Sequence, residues 1–186
     1  MQALSAAVGR AFFVHFSKRS VSIMSDISPK ELAHLAKAYR ELIACQQTVL
    51  LSTVSVENLP QISYAPYVQD QAGTFYIYVS ELAPHTANLL KNRQASILFI
   101  RPEAESVNLF ARERVVFHCR VHEVERSEDH YTSQLQTMRE KFGEVIEVLG
   151  ALPDFHLLAL TPEKGQYVVG FGRAFRINVS EGTLSH

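Results

Sequence analysis

The residues able to do chemistry are few, and the first is His85, which stands in Pro84-His85-Thr86-Ala87-Asn88-Leu89 just ahead of a helical turn. A loop imidazole in reach of a ligand can move a proton or bind a metal near neutrality, or it can simply cap and pack locally. Arg112 and Arg114 alternate about Glu113. In a strand both would point to one face, where two cations suit a carboxylate or phosphate, although a solvated basic rim explains the same pattern. Asp154, between Pro153 and Phe155, starts a strand or caps a turn unless a histidine from elsewhere comes to it.

Other patterns carry less. Of eight histidines, His118 and His122 have a spacing that would pair them on a helix, but they fall in a strand, where two exposed imidazoles on one face are the ordinary outcome. There is no HExxH, no Cys/His cluster and no GxSxG elbow, which leaves zinc peptidase and serine hydrolase chemistry without a motif. Gly165, Gly170 and Gly172 lie in strand context and mark a bend or a close backbone approach, not a phosphate loop. Cys45 and Cys119 are far apart and lack ligand spacing, as expected of a reduced intracellular protein in which each is a small core residue.

A chain of 186 residues is long enough for one well-buried core and short for two, so a single domain is expected. Hydrophobic content of 47% with 20% charged residues fits a globular protein, and no apolar run reaches the length of a bilayer span. The formal charge of −1 provides no basic field for phosphate neutralisation, so neither nucleic acid nor membrane is an expected partner. Residues 1–27 read as a disordered extension or a misassigned start, with Met24-Ser25-Asp26 as the natural beginning; Arg10, Lys18 and Arg19 with four Ser and no acid before Met24 also match a mitochondrial presequence. Residues 28–186 are the expected domain.

The elements that must position these groups follow from periodicity. Leu32, Leu35, Ala36, Tyr39, Leu42 and Ile43 recur at helical steps from Pro29 to Gln46, behind a Ser28 cap. Strands are expected at Leu50 to Ser55, Pro60 to Val68, Thr74 to Ser80 and Gln94 to Ile100, with His85 in the last connection. Two short helical turns between Ala104 and Ala111 precede a long curved strand, Arg112 to Glu125. Ser127-Glu128-Asp129 caps one long helix through Leu149, ended by Gly150 and Pro153. Two last strands, Phe155 to Leu160 and Gln166 to Gly172, are joined by Thr161 to Gly165, and Arg173 to Ile177 continues the second. Such spacing suits a small antiparallel barrel.

Several segments taken together resemble the HugZ/HutZ-type heme-utilisation proteins, a branch of the pyridoxamine 5'-phosphate oxidase-like (PNPOx-like) FMN-binding split barrels. They are Ile62 to Val68, His85 to Leu89, Leu109 to Arg114, Lys141 to Ile146, Leu152 to Phe155 and Val168 to Phe175, in unbroken order. The resemblance implies a mainly β fold with flanking helices, a six-stranded antiparallel split β-barrel. It also implies a cytoplasmic homodimer that holds heme at its interface and opens it oxidatively, as a heme oxygenase does, with electrons from an unidentified donor. Asp154 matches the family's acid that hydrogen-bonds the axial His of the other protomer, and His85 and Arg114 match positions near the heme pocket. The family's axial His lies in a C-terminal Gly-His-x-Lys segment, and this chain ends at Glu181-Gly182-Thr183-Leu184-Ser185-His186, ahead of where that segment would begin. The expectation is a truncated tail; His186 is the substitute metal ligand. Flavin-using relatives commonly carry Lys or Arg at the position of His85, so FMN is the alternative cofactor, with Ser63, Lys91 and Arg112 or Arg114 near its phosphate. A non-catalytic heme carrier is the third reading.

Overall fold

A computed structural model describes residues 27–185. Helix α1 (Pro29–Ala44) begins as its sequence demands: the Ser28 hydroxyl accepts from the Glu31 backbone N–H at 3.2 Å, and Pro29 takes the first helical position. Strands β1 (Thr48–Val54), β2 (Pro60–Gln69) and β3 (Phe75–Ser80) form a meander, α2 (Pro84–Asn92) follows, and β4 (Gln94–Ile100) returns to pair with β1. Two 3-10 turns, Glu103–Glu105 and Leu109–Ala111, lead into β5 (Arg114–Glu123). Helices α3 (Asp129–Phe142) and α4 (Val145–Gly150) precede β6 (Phe155–Gly170), β7 (Arg173–Asn178) and β8 (Thr183–Ser185).

The barrel closes through β6. Its first half pairs with β3, Phe75 opposite Leu160 through Ser80 opposite Phe155, while its length runs against β5. Six antiparallel strands, in the order β1-β2-β3-β6-β5-β4, thus form the expected closed barrel, and β7 and β8 extend the sheet beyond the far half of β6. Inside, the rings of Tyr67, Phe75, Phe99 and Phe117 stack at 5.2 to 5.7 Å between centroids, and α1 covers this core with Leu35, Tyr39, Leu42 and Ile43. A second core lies outside the barrel wall, where α3 and α4 bury Tyr131, Met138 and Ile146 against Tyr76, Tyr78 and Leu157.

Three expected elements differ. The Thr161 to Gly165 connection is part of β6, because β5 pairs with both sides of it across a register shift at His118/Cys119. Pro162 is tolerated there since neither β3 nor β7 reaches residues 161–164, so no ladder bond is lost on that side. The long helix from Ser127 to Leu149 is two helices, interrupted at Gly143, whose φ of 82° leaves the helical region; its start at Glu128 has no side-chain cap. Arg173 to Ile177 does not continue the preceding strand but folds back on it as β7, after Gly172 at φ 67°. Cys119 is buried, its thiol pushed up to about 12 by burial, whereas Cys45 is exposed at the end of α1 and not a core residue. Among the described residues no helix is long and apolar enough to cross a membrane.

Among the described residues, one face of the barrel has no cover. The alternation that turns Val49 and Leu51 inward turns Leu50, Ile62 and Tyr64 outward, with exposures of 40%, 82% and 65%. Leu50 is opposite both Tyr64 and Leu98, and Leu98 opposite Val116, so they form one apolar patch across β2, β1, β4 and β5. A patch of that kind on a chain with a filled core marks a contact surface.

Candidate functional site

Asp154 stands immediately before β6, against the end of β3. Its carbonyl accepts from the Glu81 N–H at 2.9 Å, and its carboxylate Oδ2 accepts from the Ser80 hydroxyl at 2.5 Å. Among the described residues that is the carboxylate's sole hydrogen bond, so Oδ1 is free to accept another. Ser80 is itself fixed: its Oγ accepts from Leu82 N–H at 3.0 Å, and its carbonyl accepts from the buried Thr86 hydroxyl at 2.6 Å. The turn from β3 into α2 is therefore a rigid bracket behind the acid.

His85 occupies the first turn of α2, next to Pro84 and Thr86. Its Nε2 is buried without a hydrogen-bond partner among the described residues, and burial holds the imidazole below the ordinary histidine range, so it is neutral at pH 7. The structure thus brings Asp154 and His85 to the two ends of one bracket, Ser80 to Thr86. A neutral imidazole and a carboxylate with one open oxygen can together accept and orient hydrogen-bond donors.

The arginines separate. Arg112 lies outside β5 and folds back on the loop, with Nε and Nη2 donating to the Arg101 carbonyl at 3.1 and 2.6 Å and Nη1 to Glu103 at 3.1 Å. It therefore does not share a strand face with Arg114 as the alternation implies. Arg114 pairs opposite Ile100 and Val168, donates to the Arg112 carbonyl at 3.0 Å and has no carboxylate partner among the described residues. Of the two arginines it is the one without an ion pair among the described residues. Arg101 and Tyr167 instead converge on Glu113.

The remaining expected residues point elsewhere. Ser63 shares the inward face of Ala65 and Tyr67, and its Oγ is buried without a partner among the described residues. Lys91 is exposed on α2. Among the described residues no hydrogen bond joins Ser63 or Lys91 to the other or to the arginines. His118 and His122 are exposed, bonded to Ser96 at 2.8 Å and near Glu128 at 3.4 Å, which is the ordinary outcome for strand histidines. His186 lies outside the described residues, as do residues 1–26.

Sequence reasoning missed Ser80, Glu81, Glu123, His156 and Asn88. Asn88 donates from its buried amide to Thr53 at 3.0 Å and Gln61 at 2.8 Å, tying α2 to β1 and β2. A polar residue on the inward side of a short helix was the available signal. For the other four there was none, because they meet only through barrel closure.

The family described as Pyridoxamine 5'-phosphate oxidase matches residues 35–169. The chain is 41% identical over 133 residues to Heme oxygenase HutZ of Vibrio cholerae, which spans 72% of this chain and 75% of that protein. The crystal structure of HutZ from Vibrio cholerae, there described as a heme storage protein, superposes with a TM-score of 0.68 at 36% identity, covering 74% of this chain and 97% of that one. ChuZ from Campylobacter jejuni gives a TM-score of 0.73 at 29% identity, over 83% of this chain and 62% of that one.

Proposed function

This chain belongs to the pyridoxamine 5'-phosphate oxidase family of split barrels, and from that premise we propose that it binds heme and opens it oxidatively to release iron. The observation that carries the proposal is Asp154, clamped by Ser80 through one carboxylate oxygen with the other left open, in a chain so similar to a named heme oxygenase. Heme, when bound, supplies the dioxygen chemistry and is the molecule consumed; an unidentified donor provides electrons. The protein's share is to orient and exclude. Asp154 would accept the N–H of an imidazole that a second protomer offers to heme, which would fix that ring's tautomer and raise its basicity. Arg114, without a carboxylate partner among the described residues, would meet a propionate, and neutral His85 would line the pocket without bringing charge into it.

Two copies of the chain meet in this reading through the patch of Leu50, Ile62, Tyr64 and Leu98, which forms the interface pocket in a cytoplasmic homodimer. The imidazole that the second protomer supplies would be His186. The described domain, residues 27–185, is taken as one unit, with Ile27 packed against its core.

The test is a paired absorbance titration of the protein with hemin and with FMN. A Soret band that saturates at about one heme per protomer with a His-ligated ferric spectrum, and no flavin uptake, is the expected result. Ascorbate-driven loss of that band then separates breakdown from storage. Flavin uptake without a Soret shift would overturn the heme reading in favour of an FMN-dependent oxidoreductase on the same barrel.

A further inference from the structure

His156 is the second residue of β6 and, two positions from Asp154, turns to the same side of the strand. Each of its ring nitrogens faces a carboxylate. Nδ1 lies 2.6 Å from Glu123 Oε1 at the end of β5, and Nε2 lies 2.9 Å from Glu81 Oε1 in the turn after β3. Carboxylates only accept, so both approaches are hydrogen bonds only when both nitrogens carry protons, which makes the ring an imidazolium. A neutral ring would place a lone pair against one carboxylate.

Glu81 is held twice. Its side chain meets His156, and its backbone N–H donates to the Asp154 carbonyl, while the preceding Ser80 donates to the Asp154 carboxylate. We propose that His156 is a positioning residue: as an imidazolium it presses the Ser80–Glu81 turn onto Asp154, and loss of its proton releases that turn and frees the carboxylate to reorient. What Asp154 then does rests on the heme reading above; the clamp itself does not.

The neighbouring charges agree with this direction. Glu123 is also approached by Arg93, from the end of α2, at 4.0 Å. Burial works against the charged ring, but the hydrogen bonds and charges of Glu123 and Glu81 outweigh it and raise its pKa above the ordinary 6.5. Of the titratable groups on α2, His85 is held below the ordinary histidine range by burial, and Lys91 is exposed. When the proton leaves, Glu81 is the partner that lets go, because its side chain is 61% exposed and can be hydrated, whereas that of Glu123 is 24% exposed. The hydrogen bond that breaks is thus the one tied to the Asp154 bracket.

The experiment is a pH titration of the isotopically labelled full chain by NMR, without ligand, from about pH 5 to 9. It follows the His156 ring together with the backbone amides of Ser80, Glu81 and Asp154. The expected result is one common midpoint above the ordinary histidine value. Glu123→Gln should lower that midpoint by about one pH unit for ring and amides together. In His156→Gln the three amides should no longer titrate; should that variant not fold, Glu123→Gln, which keeps the ring, decides alone. Amides that stay still while the ring titrates, or that keep the wild-type midpoint when the ring's midpoint falls, would overturn the proposal. Hemin added to the same samples reads the functional proposal separately, since a failure to bind heme leaves the ligand-free titration intact.

Discussion

Replacing Asp154 by Asn changes charge at nearly constant shape, so its two effects can be worked from the bracket around it. The Ser80 hydroxyl at 2.5 Å now donates to an ionised oxygen and would donate instead to a neutral amide oxygen. Hydrogen bonds to charged groups contribute about 1.5–3 kcal/mol and neutral ones about 0.5–1.5, so the loss is about 1 kcal/mol. For a chain of this size that lowers Tm by about 2–4 °C, small because the Glu81 N–H still bonds the residue's carbonyl. The functional effect is larger. With its one oxygen kept by Ser80, the amide turns an NH2 toward the open position, a donor that cannot accept an imidazole N–H, and disrupting such a partner costs about 10–100-fold in activity or metal affinity. Thermal melting of the variant, resonance Raman of its ferrous heme complex and the rate of ascorbate-driven hemin loss measure the three quantities. The expected outcome is heme still bound, an altered Fe–His stretch and slowed breakdown. An unchanged stretch with a wild-type rate would refute the role assigned to Asp154, and a Tm fall well beyond about 10 °C would make the acid a structural residue.

Gly165→Ala puts a Cβ 2.8 Å from the Phe117 ring and 2.9 Å from Ile177 Cβ, an atom bound to backbone that cannot swing away, so a cost of about 1–3 kcal/mol is expected; an unchanged urea midpoint would refute it. Because the folded pKa of His156 is raised, the stability it contributes is complete below the ordinary 6.5 and is lost as pH rises through the folded value. Urea unfolding of wild type and His156→Gln should therefore differ most at the acid side of that window, and a difference that grows with pH would contradict the sign. Ile62→Glu places a charge in the middle of the uncovered apolar face and should weaken self-association by about a hundredfold, read by sedimentation; a dimer as tight as wild type would move the interface elsewhere.

Strands β1 to β4 and helix α1 were legible in the sequence because their signals are local. Alternation along Leu50 to Ser55 and Thr74 to Ser80, a Ser28 cap ahead of Pro29 and a turn between each pair of runs require no knowledge of distant neighbours. Local signals misled at Pro162 and Gly143. A proline reads as a break unless the strand beside it is known to lack a partner, and a helical stripe reads through a glycine whose positive φ only the packing of α3 and α4 reveals. For function, the order of segments from Ile62 to Phe175 established the family, and Asp154 and His85 were named on that resemblance, not by their spacing.

The sequence by itself determined the class of fold, the family and the residue types at hand, since these follow from pattern and order. Only the tertiary structure decided which of them meet. Ser80 and Asp154 are 74 residues apart, Glu81 and His156 75, and Glu123 and His156 33. They come together because β6 closes the barrel between β3 and β5, and so carries Asp154 and His156 to the end of each. Arg112 is held in the loop before β5, while Ser63 turns inward from β2. A charge network depends on distances of a few ångströms across strands that are distant in sequence, and no local periodicity encodes such distances.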